Sequence, residues 1–249
     1  SLEGLKLLKV AELQSTVSDV INHHFKEPHL RQIFEHFMQY VGSSPEKVPA
    51  ILTSIHHIQL EFGVWYPMGG MRRVAEVLTE LALACGVEIK YETTVDRFLI
   101  EGDRLTGVEA QGVTFSADAV VANSDFVRSH LELLPPTSTR RRIERKPERY
   151  EPAVSGVVIY FGMKRKYDQL WHHDFFFSKD SEREFDDIYR KKIPTKDPTL
   201  CVCSPSRTDA SVAPAGCENV YVLVHTPYLQ GKEDWKTLYP TYRDLIIQK

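Results

Sequence analysis

Apolar residues at Val74, Val77, Leu78, Leu81 and Ala84 or Cys85 recur three and four positions apart, the spacing that gathers them on one face of an amphipathic helix. Gly69-Gly70 lies just ahead of this pattern, and Gly86 closes it as a C-terminal glycine does. The period then changes. Short extended runs follow at 87–91, 94–101, 105–110 and 112–115, and then comes the small apolar run 117–122. Gly102-Asp103 and Gln111-Gly112 separate them as turns. These runs predict a helix, a strand and a β-meander, then a buried strand ending in Asn123-Ser124-Asp125, where polar residues in α/β folds often face a ligand.

Upstream, Leu5, Leu8, Val10 or Ala11, Leu13, Val17, Val20 and Ile21 predict one or two helices over 4–25, ending at Asn22-His23-His24. Leu30, Ile33, Phe34, Phe37 and Met38 predict a helix over 29–40 that stops at Gly42. Ser43-Ser44-Pro45 reads as the cap and first turn of another, running through Pro49 to His57. Downstream, Leu133-Leu134-Pro135-Pro136 marks a break. Residues 153–162 have the β-branched content and length of a central strand, and alternation through Phe175-Phe176-Phe177 places two rings on one face and one on the other. A helix is predicted over 181–190 with Phe185, Ile188 and Tyr189 on one side, and 200–204 and 219–225 read as paired strands. The expected fold class is α+β: a mixed β-sheet covered by helices, with the meander inserted. It divides into residues 1–85 (helical), 86–125 (inserted strands) and 126–249 (sheet), so the chain crosses between two domains near 86 and again near 123.

Composition excludes more than it identifies. Hydrophobic residues make up 42% and charged residues 26% of the 249, which is ordinary for a globular chain, and the net charge of -3 argues against a nucleic-acid partner. The cysteines are Cys85, Cys201, Cys203 and Cys217; the C-x-C pair points both thiols to one face of a strand and fits reduced cysteines of an intracellular protein. No stretch approaches the ~20 apolar residues of a membrane-spanning helix and no secretory signal opens the chain, so a cytoplasmic location is expected and any membrane contact is peripheral. Arg140, Arg141, Arg142, Arg145, Lys146 and Arg149 stand against only Glu144 and Glu148. Such a run is either a solvated helix or linker, or a dock for anionic lipid at about 1 kcal/mol per basic residue. The adjacent His172-His173 predict no metal site, because neighbours in a strand point opposite ways and no third ligand stands at a fixed spacing. No residue declares itself a catalytic acid or base, and nothing signals the oligomeric state.

Two separated stretches, in order, carry a resemblance. WYPMGGMRRVAEVLTELALACGVEI, followed by TTV and GVEAQGVTFSADAVVANSD, is similar to the middle of the phytoene desaturase family, the bacterial-type carotenoid desaturases among the flavin amine oxidase-like oxidoreductases. DPTLCVCSPSRTDASVAPAGCENVYVLVHTP resembles the same family's downstream pattern. The resemblance implies FAD as cofactor, an apolar isoprenoid or carotenoid as substrate, and a substrate domain interrupted by strands of an FAD domain. It implies that the backbone of Val95 pairs with the adenine of FAD, and that Trp65, Tyr66, Phe175 and Phe177 contact substrate. Gly69 and Gly70 either permit close approach of cofactor or substrate, or serve a helix start with unusual backbone angles. Arg207 and Asp209 fall in the likeness too and are expected to form a turn-stabilising ion pair. The family's pyrophosphate fingerprint, G-x-G-x-x-G, occurs nowhere in the chain. With a start at Ser1 and an end inside an amphipathic pattern at Lys249, the expectation is the central portion of a longer protein, inactive by itself.

Desaturation removes two hydrogens from adjacent saturated carbons, whose C–H bonds are too weakly acidic for a side chain alone to oxidise. A flavin accepts the hydride, while the protein aligns the polyene in an apolar tunnel and excludes water. A carotenoid desaturase-like activity is therefore expected of the parent. Open beside it stand a flavoprotein acting on another apolar substrate, retinoid saturase-like or carotenoid oxygenase-like, and a non-catalytic apolar-ligand-binding module.

Overall fold

The computed structural model describes residues 15–102, 104–146, 149–231 and 234–249. They divide into two compact units, one comprising residues 15–77 with 153–249 and the other residues 78–152. In the first, α1 (Val17–His24) begins with a capping box: the Thr16 hydroxyl accepts the Asp19 N–H and the Asp19 carboxylate accepts the Thr16 N–H. α2 (Pro28–His36) follows a Glu27 cap with proline at its start, and Val17, Ile21, Met38 and Val48 bury their side chains together. Of the helical pattern predicted over 4–25, Leu5, Leu8, Val10, Ala11 and Leu13 lie outside the described residues. The helix predicted from Ser43 starts later. Residues 45–48 form a turn, and helical backbone resumes at Ala50–Thr53 and continues as α3 (Ser54–Phe62). Pro49 is the cause, because a helix begun at Pro45 would need its missing N–H.

α4 (Arg72–Ala84) ends as its pattern predicts. Gly86 has φ +82°, its N–H donates to the Leu83 carbonyl, and the Val87 N–H donates to that of Ala82. The stripe of Val74, Val77, Leu78 and Leu81 is exposed. In the second unit, β1 (Val95–Glu101), β2 (Arg104–Ala110) and β3 (Val113–Ser116) form the predicted meander. Gln111 and Gly112, at φ +50° and +77°, turn β2 into β3 in the primed geometry that hairpins favour; Asp103 of the preceding turn lies outside the described residues. Gly107 is required by contact, since a Cβ there would lie 2.1 Å from the Phe115 carbonyl oxygen.

Residues 87–91 and 117–122 are not strands. Neither has a ladder partner among the described residues, and Val121 is 95% exposed, so the expected buried strand is a solvent-facing segment. An apolar run of strand length becomes a strand only when another backbone satisfies its N–H and C=O groups. Asp125 instead caps a short helix, Phe126–Arg128, by accepting the Arg128 N–H. The basic run forms α5 (Ser138–Arg145), with Ile143 buried and Arg140 held by Glu144 and the Leu134 carbonyl; Pro147 and Glu148 lie outside the described residues.

The first unit is organised by a sheet of β4 (Ser155–Met163), β5 (His173–Phe176), β6 (Leu200–Cys203) and β7 (Glu218–Thr226), in the order β4-β7-β6-β5. All its pairings are antiparallel, so the expected mixed sheet is corrected. Its sequential neighbours, β5 with β6 and β6 with β7, are joined by reversals rather than by the crossovers that parallel pairs need. β4, expected to be central, lies at an edge, with Tyr160 exposed. α6 (Ser181–Phe185) runs into a π-helical stretch, Asp186–Lys191, and Phe185, Ile188 and Tyr189 cluster there. On one sheet face Leu200, Val202, Val220 and Val224 pack against Tyr242 and Ile246 of α7 (Trp235–Gln248). That is the main core. The period of two sends the alternate residues to the other face, in rows fixed by register: His173, Cys203, Tyr221 and Tyr160 in one, and Phe175, Cys201, Leu223 and Val158 in the next.

Candidate functional site

The row His173-Cys203-Tyr221 opens into a cavity of about 810 Å³ whose walls also include Val64, Trp65, Tyr66, Gly70, Met71, His172 and Val212. The segment from Gly63, which ends α3, to the start of α4 forms one wall because two glycines bend it: Gly69 and Gly70 hold φ +92° and +88°. The Gly69 N–H donates to Asp209 Oδ2 at 2.7 Å, tying this segment to the loop between β6 and β7. Asp209 also accepts from the Ser211 hydroxyl at 2.6 Å and the Ser211 N–H at 2.9 Å. The Ser211 hydroxyl first, then the two backbone N–H groups, hold its carboxyl below the usual carboxylate range. Tyr66 packs edge-on to His172 with ring centroids 4.9 Å apart.

His172 precedes β5, and its carbonyl accepts the Ser204 N–H at 2.9 Å, which holds it against the end of β6. Its Nδ1 lies 2.5 Å from Thr208 Oγ1. His173, directly across from Cys203 in the ladder, places Nε2 3.9 Å from the sulfur. The two imidazoles do not point opposite ways as expected. Because only His173 is in the strand, the rings lie 4.8 Å apart, tilted by 38°, and Cys203 adds a third donor that the linear sequence hides. Burial pushes the Cys201 thiol up to about 11 and raises that of Cys203, which favours the neutral thiol at both as long as no cation lies beside the sulfur.

Of the residues singled out in the sequence, Trp65, Tyr66 and Gly70 line this cavity. Phe175 and Phe177 are elsewhere on the same face: they stack on each other at 6.0 Å and enclose His36 of α2 at 5.1 and 5.4 Å. Burial drives His36 and His225 down to about 4, so this aromatic end carries neutral imidazoles. A Cβ on Gly69 would meet nothing within 4 Å and one on Gly70 would lie 3.7 Å from the Tyr66 hydroxyl, while both glycines hold positive φ. Val95 opens β1, the edge of its sheet, where half of the backbone groups turn away from β2. Arg207 and Asp209 do not pair. Arg207 reaches Glu218 at 2.6 Å and the Tyr167 carbonyl, because the Glu218 side chain, 1% exposed, requires a counter-charge. Sequence reasoning missed Glu218, Thr208 and the meeting of His172, His173 and Cys203. The C-x-C alternation was the one signal that pointed to this face.

The four-stranded antiparallel sheet thus has one face packed against a helix and the other lining an aromatic cavity. The chain belongs to the flavin containing amine oxidoreductase family, whose model matches residues 8–237. The cofactor of that family is FAD. The chain is similar to 4,4′-diaponeurosporene oxygenase from Staphylococcus haemolyticus, 35% identical over 246 residues, covering 98% of this chain and 49% of that protein. The protein of the same name from Staphylococcus aureus is 34% identical over 235 residues, covering 94% of this chain and 47% of its own. The chain thus spans about half the length of the curated relatives it matches. Among solved structures it is similar in fold to an oxidoreductase from Methanosarcina mazei, with a TM-score of 0.67 and 16% identity, over 98% of this chain and 55% of the other.

Proposed function

We propose that the protein carrying this chain is an FAD-dependent oxidoreductase that oxidises a long apolar carotenoid, and that the open sheet face is part of its substrate layer. The observation that carries this is the cavity walled by Val64, Trp65, Tyr66, Met71 and Val212, in a chain of a flavin family. Bound FAD supplies the two-electron acceptor. The chain's own part is threefold. The edge of β1 at Val95 fits the adenine end by offering free backbone groups, although the chain brings no G-x-G-x-x-G cradle for the pyrophosphate. The aromatic and aliphatic walls align the polyene and keep water out. The Tyr66 hydroxyl, the imidazoles of His172 and His173 and the Thr208 hydroxyl concentrate hydrogen-bonding capacity at one end, suited to hold a polar group or a proton there.

The relatives' name favours a carotenoid that gains oxygen over the desaturation that the resemblance alone implies; with FAD as the hydride acceptor, water would supply that oxygen. Among the described residues no helix is long and apolar enough to cross a membrane. We propose that the substrate is met at a membrane surface, with the basic side of α5 as the contact. The test is to express the whole protein in cells that accumulate an apolar carotenoid and to weigh the products. A gain of oxygen supports oxygenation, a loss of hydrogen pairs supports desaturation, and an unaltered carotenoid contradicts both.

A further inference from the structure

We propose that His172, His173 and Cys203 form a binding site for one borderline-soft divalent cation of the zinc class at the polar end of the cavity. One donor atom from each residue lies within 4.8 Å of the others. Around a tetrahedral ion with Zn–N of about 2.0–2.1 Å and Zn–S of about 2.3 Å, donor atoms stand roughly 3.3–3.6 Å apart. The His173–Cys203 separation of 3.9 Å already approaches this, and small ring rotations close the remainder. Two imidazoles and one sulfur select zinc or copper over magnesium or calcium, which prefer oxygen.

The surroundings supply what such a site needs beyond its donors. His173 and Cys203 are fixed on adjacent strands in direct register, so their separation is set by the ladder rather than by a loop. The Thr208 hydroxyl holds His172 Nδ1 and leaves Nε2 as the ring nitrogen for the ion, as outer-shell partners do beside metal-bound imidazoles. Tyr221 stands next in the row, directly across from Cys203 in the ladder. All three donors line the cavity, so a three-ligand site keeps its fourth position open toward whatever the cavity holds, the arrangement that lets an ion bind water or a ligand oxygen. The proposal is independent of the flavin reading and needs neither FAD nor carotenoid.

The test uses the purified, thiol-reduced chain, stripped by chelator and titrated with cobalt(II) and then zinc(II). The expected result is one cobalt per chain with a thiolate-to-cobalt charge-transfer band and intense visible bands of four-coordination, displaced by zinc. Cys203→Ser is expected to abolish the charge-transfer band, His173→Ala to weaken binding at least 100-fold and Cys201→Ser to leave it unchanged. Thr208→Val, which keeps all three donors, is expected to weaken binding about tenfold. No such band in the parent chain, a band that survives Cys203→Ser, or one lost in Cys201→Ser overturns the proposal. If Cys203→Ser fails to fold by circular dichroism, unchanged affinity in both Thr208→Val and His173→Ala overturns it.

Discussion

Individual residues in this chain are most constrained where charge is buried. Glu218 is sealed inside the loop layer, with Arg207 on one carboxylate oxygen and the Tyr167 N–H on the other at 2.9 Å. Removing the guanidinium leaves that carboxylate without its counter-charge, so Arg207→Ala is expected to destabilise the protein by about 3–5 kcal/mol in urea unfolding. A change within about 0.5 kcal/mol would mean that the pair is solvated. His36 and His225 give the opposite case, groups buried neutral. Their folded values of about 4 lie below the unfolded value of about 6.5, so the unfolded chain binds more protons between these limits. Their contribution is complete above pH 6.5 and is lost as pH falls toward 4, at up to about 1.4 kcal/mol per pH unit for each histidine. Stability measured from pH 7 to 4 should show this slope, and His36→Leu should remove about half of it; an unchanged slope would show that His36 is not buried neutral.

Elements were legible in the sequence wherever their cause is local. The stripe from Val74 with its closing Gly86, the meander with its Gln111-Gly112 turn, and the alternation through Phe175, Phe176 and Phe177 each depend on residues a few positions apart, and each forms. The failures are nonlocal. Residues 117–122 have strand composition, but past Ala117, whose N–H donates to the Thr106 carbonyl, they enter no ladder among the described residues, and β4 looks central by composition yet lies at an edge. The site divides the same way. Trp65 and Tyr66, expected from the family likeness, line the cavity, but the approach of His173 to Cys203 depends on register between strands thirty residues apart, which no spacing rule reads. α7 carries a further local conflict: Pro240 sits inside the helix and withholds the N–H that the Lys236 carbonyl would accept. Pro240→Ala is therefore expected to raise stability by about 1–3 kcal/mol in thermal unfolding. A loss instead would mean that the helix bends there for packing against the sheet.

At the scale of the molecule, the two faces of the four-stranded sheet have separate tasks. One is filled by Leu200, Val202, Val220 and Val224 under α7, and this rigid core holds the rows of the other face in register. The open face offers apolar walls at Trp65 and Tyr66 and a polar end at His172 and His173, which suits a long apolar molecule with one end to be oriented. The family's cofactor, FAD, is the two-electron oxidant that the proposed reaction needs. The most direct test is the visible spectrum of the whole protein carrying this chain, recorded without oxygen before and after addition of an apolar carotenoid. The account predicts bound flavin that bleaches on carotenoid addition, and bleaching at least tenfold slower in Trp65→Ala with flavin content unchanged. A protein that stays colourless after incubation with FAD, or a flavin spectrum indifferent to the carotenoid, would contradict it.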